Sequence, residues 1–160
     1  MSLTICRADY HRPQHAAAIL SLLNHYAEDP MGGGCPLPEV VRKRLIDELS
    51  RRTWALSMLA FKDNCAVGLI NAFEGFSTFA ASPLINIHDV VVLREYRGLG
   101  IARAMLSALE EVARRRGCCK LTLEVLGANV TAKATYRGMG FAPYSLGDET
   151  GSAEFWQKPL

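Results

Sequence analysis

Val90-Val91-Val92-Leu93-Arg94-Glu95-Tyr96-Arg97-Gly98-Leu99-Gly100-Ile101-Ala102-Arg103 holds the decisive turn of this chain. The valines close a stretch from Leu84 to Leu93 whose second half is nearly continuous apolar sequence, the pattern of a central strand covered on both faces. Beyond the turn, Ile101, Ala104, Met105, Ala108, Leu109, Val112 and Ala113 recur at three- and four-residue steps, which predicts an amphipathic helix ended by Gly117. Gly98 and Gly100 remove side chains where the backbone must turn sharply, and the unbonded N–H groups of the helix's first turn then face the mouth of the strand. Those donors and the helix dipole suit a phosphate or pyrophosphate. The plain alternative is a glycine turn that only joins a strand to a helix.

Outward from this turn, Lys120–Leu126 reads as the next strand, so that strand, crossover helix and strand make a right-handed parallel unit. Asn129 opens a short helix through Arg137, Gly138 and Gly140 offer positive φ where it stops, and Phe141–Ser145 and Ala153–Lys158 read as two closing strands. Upstream, Thr4–Ala8 is a first strand, Gln14–Ala27 an amphipathic helix opened by Pro13, and Glu39–Ser50 a second helix. The Gly- and Pro-rich segment Met31–Pro38 between the helices is a loop. Trp54–Phe61 and Cys65–Phe73, joined by Lys62-Asp63-Asn64, form an antiparallel hairpin. The order β, α, α, hairpin, β, α, β, α, β, β gives an α+β (mixed α/β) fold, a mixed sheet with helices packed on it, in one domain over residues 1–160.

Composition excludes several classes. With 49% apolar and 21% charged residues the chain is neither disordered nor fibrous, and a net charge of +2 does not argue for a nucleic-acid partner. No apolar run is long enough to span a bilayer, so no membrane is expected. The cysteines number five and no pair has the spacing of a zinc or redox motif; they read as reduced thiols of a cytoplasmic protein. Only His11 and His15 share helical spacing, across Pro13, so no metal is implied.

Three phosphate-binding templates compete for the glycine turn. A Walker loop needs a Gly-Lys-Ser/Thr group that the chain lacks. A dinucleotide fingerprint accepts Gly98 and Gly100, with Glu124 as the ribose acid, but its third small position is Arg103 and about 60 residues remain for a larger array. The third template fits: Arg97-x-x-Gly100-x-Ala102 resembles the Arg/Gln-x-x-Gly-x-Gly/Ala signature of the GNAT superfamily of acyl-CoA-dependent N-acetyltransferases. Asn129-x-x-Ala132-x-x-x-Tyr136-x-x-x-Gly140-Phe141 is similar to that family's second recurring motif. Residues 85–141 carry these motifs, and the first half of the chain resembles the family in architecture. Arg94 stands where many members have proline, a departure expected to alter the turn little.

The resemblance implies a mostly antiparallel sheet of six to seven strands with two splayed parallel neighbours and about four helices. It implies acetyl-CoA as co-substrate and an amine as acceptor. The Val90, Val91 and Val92 backbone would pair with the pantetheine arm. The N–H groups from Gly98, Leu99, Gly100, Ile101, Ala102 and Arg103 would cradle the pyrophosphate, Arg97 of the same signature would be cofactor-binding beside them, and Asn129 would cap its helix and hold the cofactor arm. Tyr136 would protonate the leaving thiolate. There are three candidate bases: Glu124 on the splayed strand, His88 on the central one, and Asp89 next to it, which alternation turns to the other side of the sheet. Acceptor contacts would come from Glu28, Asp29, the Gly32–Gly34 run and Glu74–Phe79, for a small-molecule amine or a peptide. Phe155 and Trp156 offer a strand that could pair across a homodimer. The rival of another class is a non-catalytic acyl-CoA-binding module or sensor that keeps the loop without turnover.

Overall fold

The alternation that predicts strands over the middle of the chain builds a meander in the computed structural model, which describes residues 2–160. The strands are β1 (Leu3–Arg7), β2 (Ala55–Lys62), β3 (Cys65–Ser77), β4 (Ser82–Val92) and β5 (Leu121–Leu123); the helices are α1 (Pro13–Glu28), α2 (Glu39–Ser50), α3 (Ile101–Arg115) and α4 (Val130–Arg137). The chain divides into two units, one through Leu123 and one from Glu124 to Leu160.

In the first unit the five strands lie in chain order, β1-β2-β3-β4-β5. The first three pairings are antiparallel, and β4 and β5 run parallel. Asp63 and Asn64 turn β2 into β3 at φ 50° and 65°, left-handed values that asparagine and aspartate tolerate better than most residues. One face of the sheet is covered by α1 and α2, where Ile19, Leu22 and Leu49 pack with Leu59, Leu69 and Val91. The other face takes α3, whose Met105, Leu106 and Leu109 are buried. Gly68 makes that approach possible, because a Cβ there would stand 2.8 Å from the Met105 methyl.

The pairing of β3 with β4 slips once. Asn71 faces Asp89 and Ala72 faces Ile87, so His88 is the extra residue of a β-bulge. Pairing of β4 with β5 covers only Ile85, Asn86 and Ile87, and β4 runs on to Val92 beside β3.

The second unit holds α4. In place of the expected strands Phe141–Ser145 and Ala153–Lys158 there is an isolated bridge between Ser145 and Ser152, the latter just ahead of the second segment. Pro143 removes an amide donor, and Gly147 and Gly151 take φ of 153° and 69°, so the pattern is broken before a ladder can grow. The described sheet therefore has five strands rather than six to seven, and Phe155 and Trp156 lie outside regular structure. Likewise β5 ends at Leu123, which leaves Glu124 just past the strand on which it was expected. Among the described residues no helix is long and apolar enough to cross a membrane.

Candidate active site

The glycine turn forms at the end of β4. A short 3-10 turn, Arg94–Tyr96, follows the strand, and Gly98 and Gly100 then take φ of 76° and 77°. Both are left-handed values that an L side chain adopts only with strain, which is why glycine stands here. Gly100 caps α3, and the first intrahelical bond runs from the Ala104 N–H to the Gly100 carbonyl at 3.0 Å. The N–H groups of Ile101, Ala102 and Arg103 precede that bond, so they are the donors a helix leaves for an anion. A Cβ built at Gly98 or Gly100 meets no atom within 4 Å. The glycines are thus not required by packing within the chain, and their bare backbone is open to a ligand.

The bulge reorders the side chains beside this turn. Cross-strand partners share a face, so Asp89 lies on the α1–α2 side with Asn71, while Ile87 and Ala72 point to α3. Asp89 and His88 therefore occupy the same face, a correction to the expectation that alternation separates them: the inserted residue resets the alternation by one. His88 is exposed and sets its ring edge-on to Phe73 at 4.8 Å. Asn71 Nδ2 donates to Asp89 Oδ2 at 3.0 Å and Ser57 Oγ donates to Asn71 Oδ1 at 2.6 Å, with the Tyr10 hydroxyl 3.1 Å from Ser57 Oγ. Burial pushes the Asp89 carboxyl above its ordinary value, and the Asn71 donor and neighbouring His88 offset part of that rise. Tyr26 is raised too, by burial first and then by the negative charges of Asp89 and Asp29. Tyr10, Ser57 and Asn71 escape a reading by motif. For Ser57 and Asn71 the signal is a polar residue inside an otherwise apolar strand, as in Leu56-Ser57-Met58 and Ile70-Asn71-Ala72; Tyr10, in the turn before α1, carries no such signal.

Of the expected acceptor rim, Asp29 pairs with Arg97 at 3.2 Å, and Glu74 pairs with Arg116 at 2.7 Å. Its Met31 hydrogen bond, followed by Arg97, holds the Asp29 carboxyl below the usual range. Phe73 packs against the α1–α2 core, whereas Phe76 and Phe79 stand exposed near the end of the β3–β4 hairpin.

In the second unit, Asn129 Oδ1 accepts the Ala132 N–H at 3.1 Å, which caps α4. Tyr136 lies in the last turn of α4, its ring 5.9 Å from that of Phe141. Gly140, at φ 88°, ends the helix, and Gly138 is right-handed at φ −65°. Among the described residues no group of three or more His, Cys, Asp and Glu side chains is arranged to hold a metal.

Comparison with known proteins gives concordant results. An uncharacterized N-acetyltransferase of Bacillus subtilis, YycN, is 33% identical over 73% of this chain and 79% of its own length. Streptothricin acetyltransferase of Streptomyces lavendulae is 38% identical over 48% of this chain, which spans about two-fifths of that relative, 41% of its length. An aminoglycoside N-acetyltransferase solved in complex with CoA superposes with a TM-score of 0.76 at 17% identity, over 99% of this chain and 96% of that one, a likeness of fold. The model of the Acetyltransferase (GNAT) family matches residues 19–141, from α1 through the glycine turn to the end of the second motif. The turn between β4 and α3 and the capped α4 thus sit inside one continuous family match, and the chain belongs to the GNAT family of acetyltransferases.

Proposed function

We propose that this chain is a single acetyltransferase domain that moves an acetyl group from acetyl-CoA to the primary amine of a small cationic acceptor, by direct attack in a ternary complex. The observation that carries the reading is the pair of left-handed glycines whose backbone is open beside three helix-opening N–H groups. The family match runs through the boundary between the two units, which supports one domain.

In this reading the N–H groups of residues 98–103 hold the pyrophosphate, and the Val90–Val92 backbone, past the last β5 partner, receives the pantetheine arm. The amine nitrogen attacks the thioester carbonyl, the C–N bond forms as the C–S bond breaks, and Tyr136 gives its proton to the departing thiolate. The proton shed by the amine goes to His88 or Glu124. Asp89, on the α1–α2 face that Tyr26 and Phe73 share, supplies the negative charge for a cationic acceptor. Streptothricin and aminoglycosides, named in the relatives, belong to that class of amine. A cytoplasmic setting accords with five free cysteines.

The test is calorimetry of acetyl-CoA, CoA and NAD(H) with wild type and Gly100→Trp, followed by thiol release over a panel of cationic amines. Binding of acetyl-CoA that the variant abolishes, with thiol release that Tyr136→Phe slows, supports the enzyme. Binding without release from any amine establishes the non-catalytic module instead. Loss of the pH dependence of turnover in His88→Gln or in Glu124→Gln names the base, and an unchanged profile in both removes both.

A further inference from the structure

Arg97 opens the glycine turn, yet its guanidinium is engaged elsewhere. Nε donates to the Val92 carbonyl at 3.1 Å, and Nη2 donates to Asp29 Oδ2 at 3.2 Å. Asp29 lies just past α1, and the loop beyond is wound around it. Its Oδ1 accepts the Met31 N–H at 3.0 Å, and its carbonyl accepts the N–H groups of Gly32 at 2.7 Å and Gly34 at 3.1 Å. Gly32 fits there as glycine alone, since a Cβ would fall 1.9 Å from the Tyr26 carbonyl oxygen. The Asp29 side chain is largely covered, at 15% exposure, while that of Arg97 is 48% exposed. One guanidinium thus ties three things together: the end of β4, the turn before α3, and a loop from a distant part of the chain.

We propose that Asp29 is a positioning residue that couples the loop after α1 to the cofactor turn, so that the order of residues 29–35 and the affinity for CoA depend on each other. The coupling rests on the reading of the glycine turn as a CoA site. Asp29 holds the guanidinium beside Val92, off the open N–H groups of the turn, and neutralises a charge that would otherwise move freely at its mouth. Linkage then requires the effect to run both ways: whatever the loop does for CoA, CoA does for the loop. If the pyrophosphate instead pulled Arg97 away from Asp29, CoA would loosen the loop, so the sign of the effect decides the matter.

The experiment is amide hydrogen exchange on the full chain with and without free CoA, together with CoA affinities of Asp29→Asn, Arg97→Gln and the double variant. Asparagine still accepts the Met31 N–H through its side-chain oxygen but loses the charge, and glutamine is the other residue that the family signature admits at position 97. Wild type should show slower exchange at Met31, Gly32 and Gly34 when CoA is bound. Each single variant should lose that protection and bind CoA about two- to fivefold more weakly, the range for an ion pair exposed on one side. The double variant should be no weaker than the singles. Wild-type affinity in Asp29→Asn, faster loop exchange with CoA, or additive losses would each overturn the coupling while leaving the CoA site intact. A wild type that binds no CoA removes the cofactor reading, and the coupling with it.

Discussion

Replacing Asn71 by alanine removes the middle member of the chain from Tyr10 to Asp89. The Asn71 bond to Asp89 Oδ2, at 3.0 Å, has a charged acceptor and contributes about 1.5–3 kcal/mol; the bond from Ser57, at 2.6 Å, contributes about 0.5–1.5 kcal/mol. Ser57 keeps Tyr10 as a partner, so its loss falls at the low end. Asp89 keeps a half-buried carboxylate without this donor, so its loss falls at the high end. The sum is about 3–4 kcal/mol, or a melting temperature lowered by about 6–16 °C in a chain of this length. The deficit must also depend on pH. Asp89 has a folded-state pKa raised above the ordinary value of 3.8, so the folded state binds its proton more readily than the unfolded one, and stability falls as pH rises from that value through the folded one. Asn71→Ala raises the folded value further, so the gap to wild type widens with rising pH and closes as pH falls and the carboxyl takes up its proton. Urea unfolding of both proteins across pH 4–8 measures this. A deficit under about 1 kcal/mol, or one that does not change with pH, would refute the assignment of Asn71 as the group that holds Asp89.

Asp89→Asn keeps an oxygen for the Asn71 donor and discards the buried charge, so at neutral pH it should be at least as stable as wild type and lose the Asp89 slope; urea midpoints at two pH values check this. Gly100→Ala should cost only about 1–2 kcal/mol in stability, since its Cβ meets no neighbour and the left-handed backbone is the sole strain, while stabilisation by CoA in a thermal shift should largely vanish. Leu109→Ala, at a position with 0% exposure in α3, should cost about 2–5 kcal/mol by denaturant unfolding.

How far the sequence carries the reader differs between neighbouring segments. The α3 stripe and the hairpin around Asp63-Asn64 follow from periodicity and turn chemistry, which act within a few residues, so both are legible. The glycine turn is legible for the same reason: positive φ restricts the residue type wherever it occurs. The bulge at His88 is not. An extra residue in one strand leaves the composition of that strand unchanged and shows only in the register with β3, a long-range property that reverses the face of Asp89. The ion pair between Asp29 and Arg97 is invisible for a related reason, since either residue alone reads as a solvated charge. At the end of the chain, the alternation of Ala153–Lys158 suggests a strand, but a strand needs a partner, and the local breakers at Pro143, Gly147 and Gly151 outweigh it.

The five strands stand in the sheet in the order in which they leave the ribosome, and this has a kinetic meaning. The hairpins β2–β3 and β3–β4 close over short connections and can zip in microseconds. β1 must wait for two helices to fold back, and β5 for α3 to cross over, each at the entropic cost of a long loop. Folding of this unit should thus spread from the meander toward both margins, with the margin beside the glycine turn among the last to set. Pulse-labelled exchange that found β1 or β5 protected before β3 would contradict that order. A nascent chain released before α3 and β5 have docked would present β4 as a raw edge, so this margin is where misassembly between copies would start.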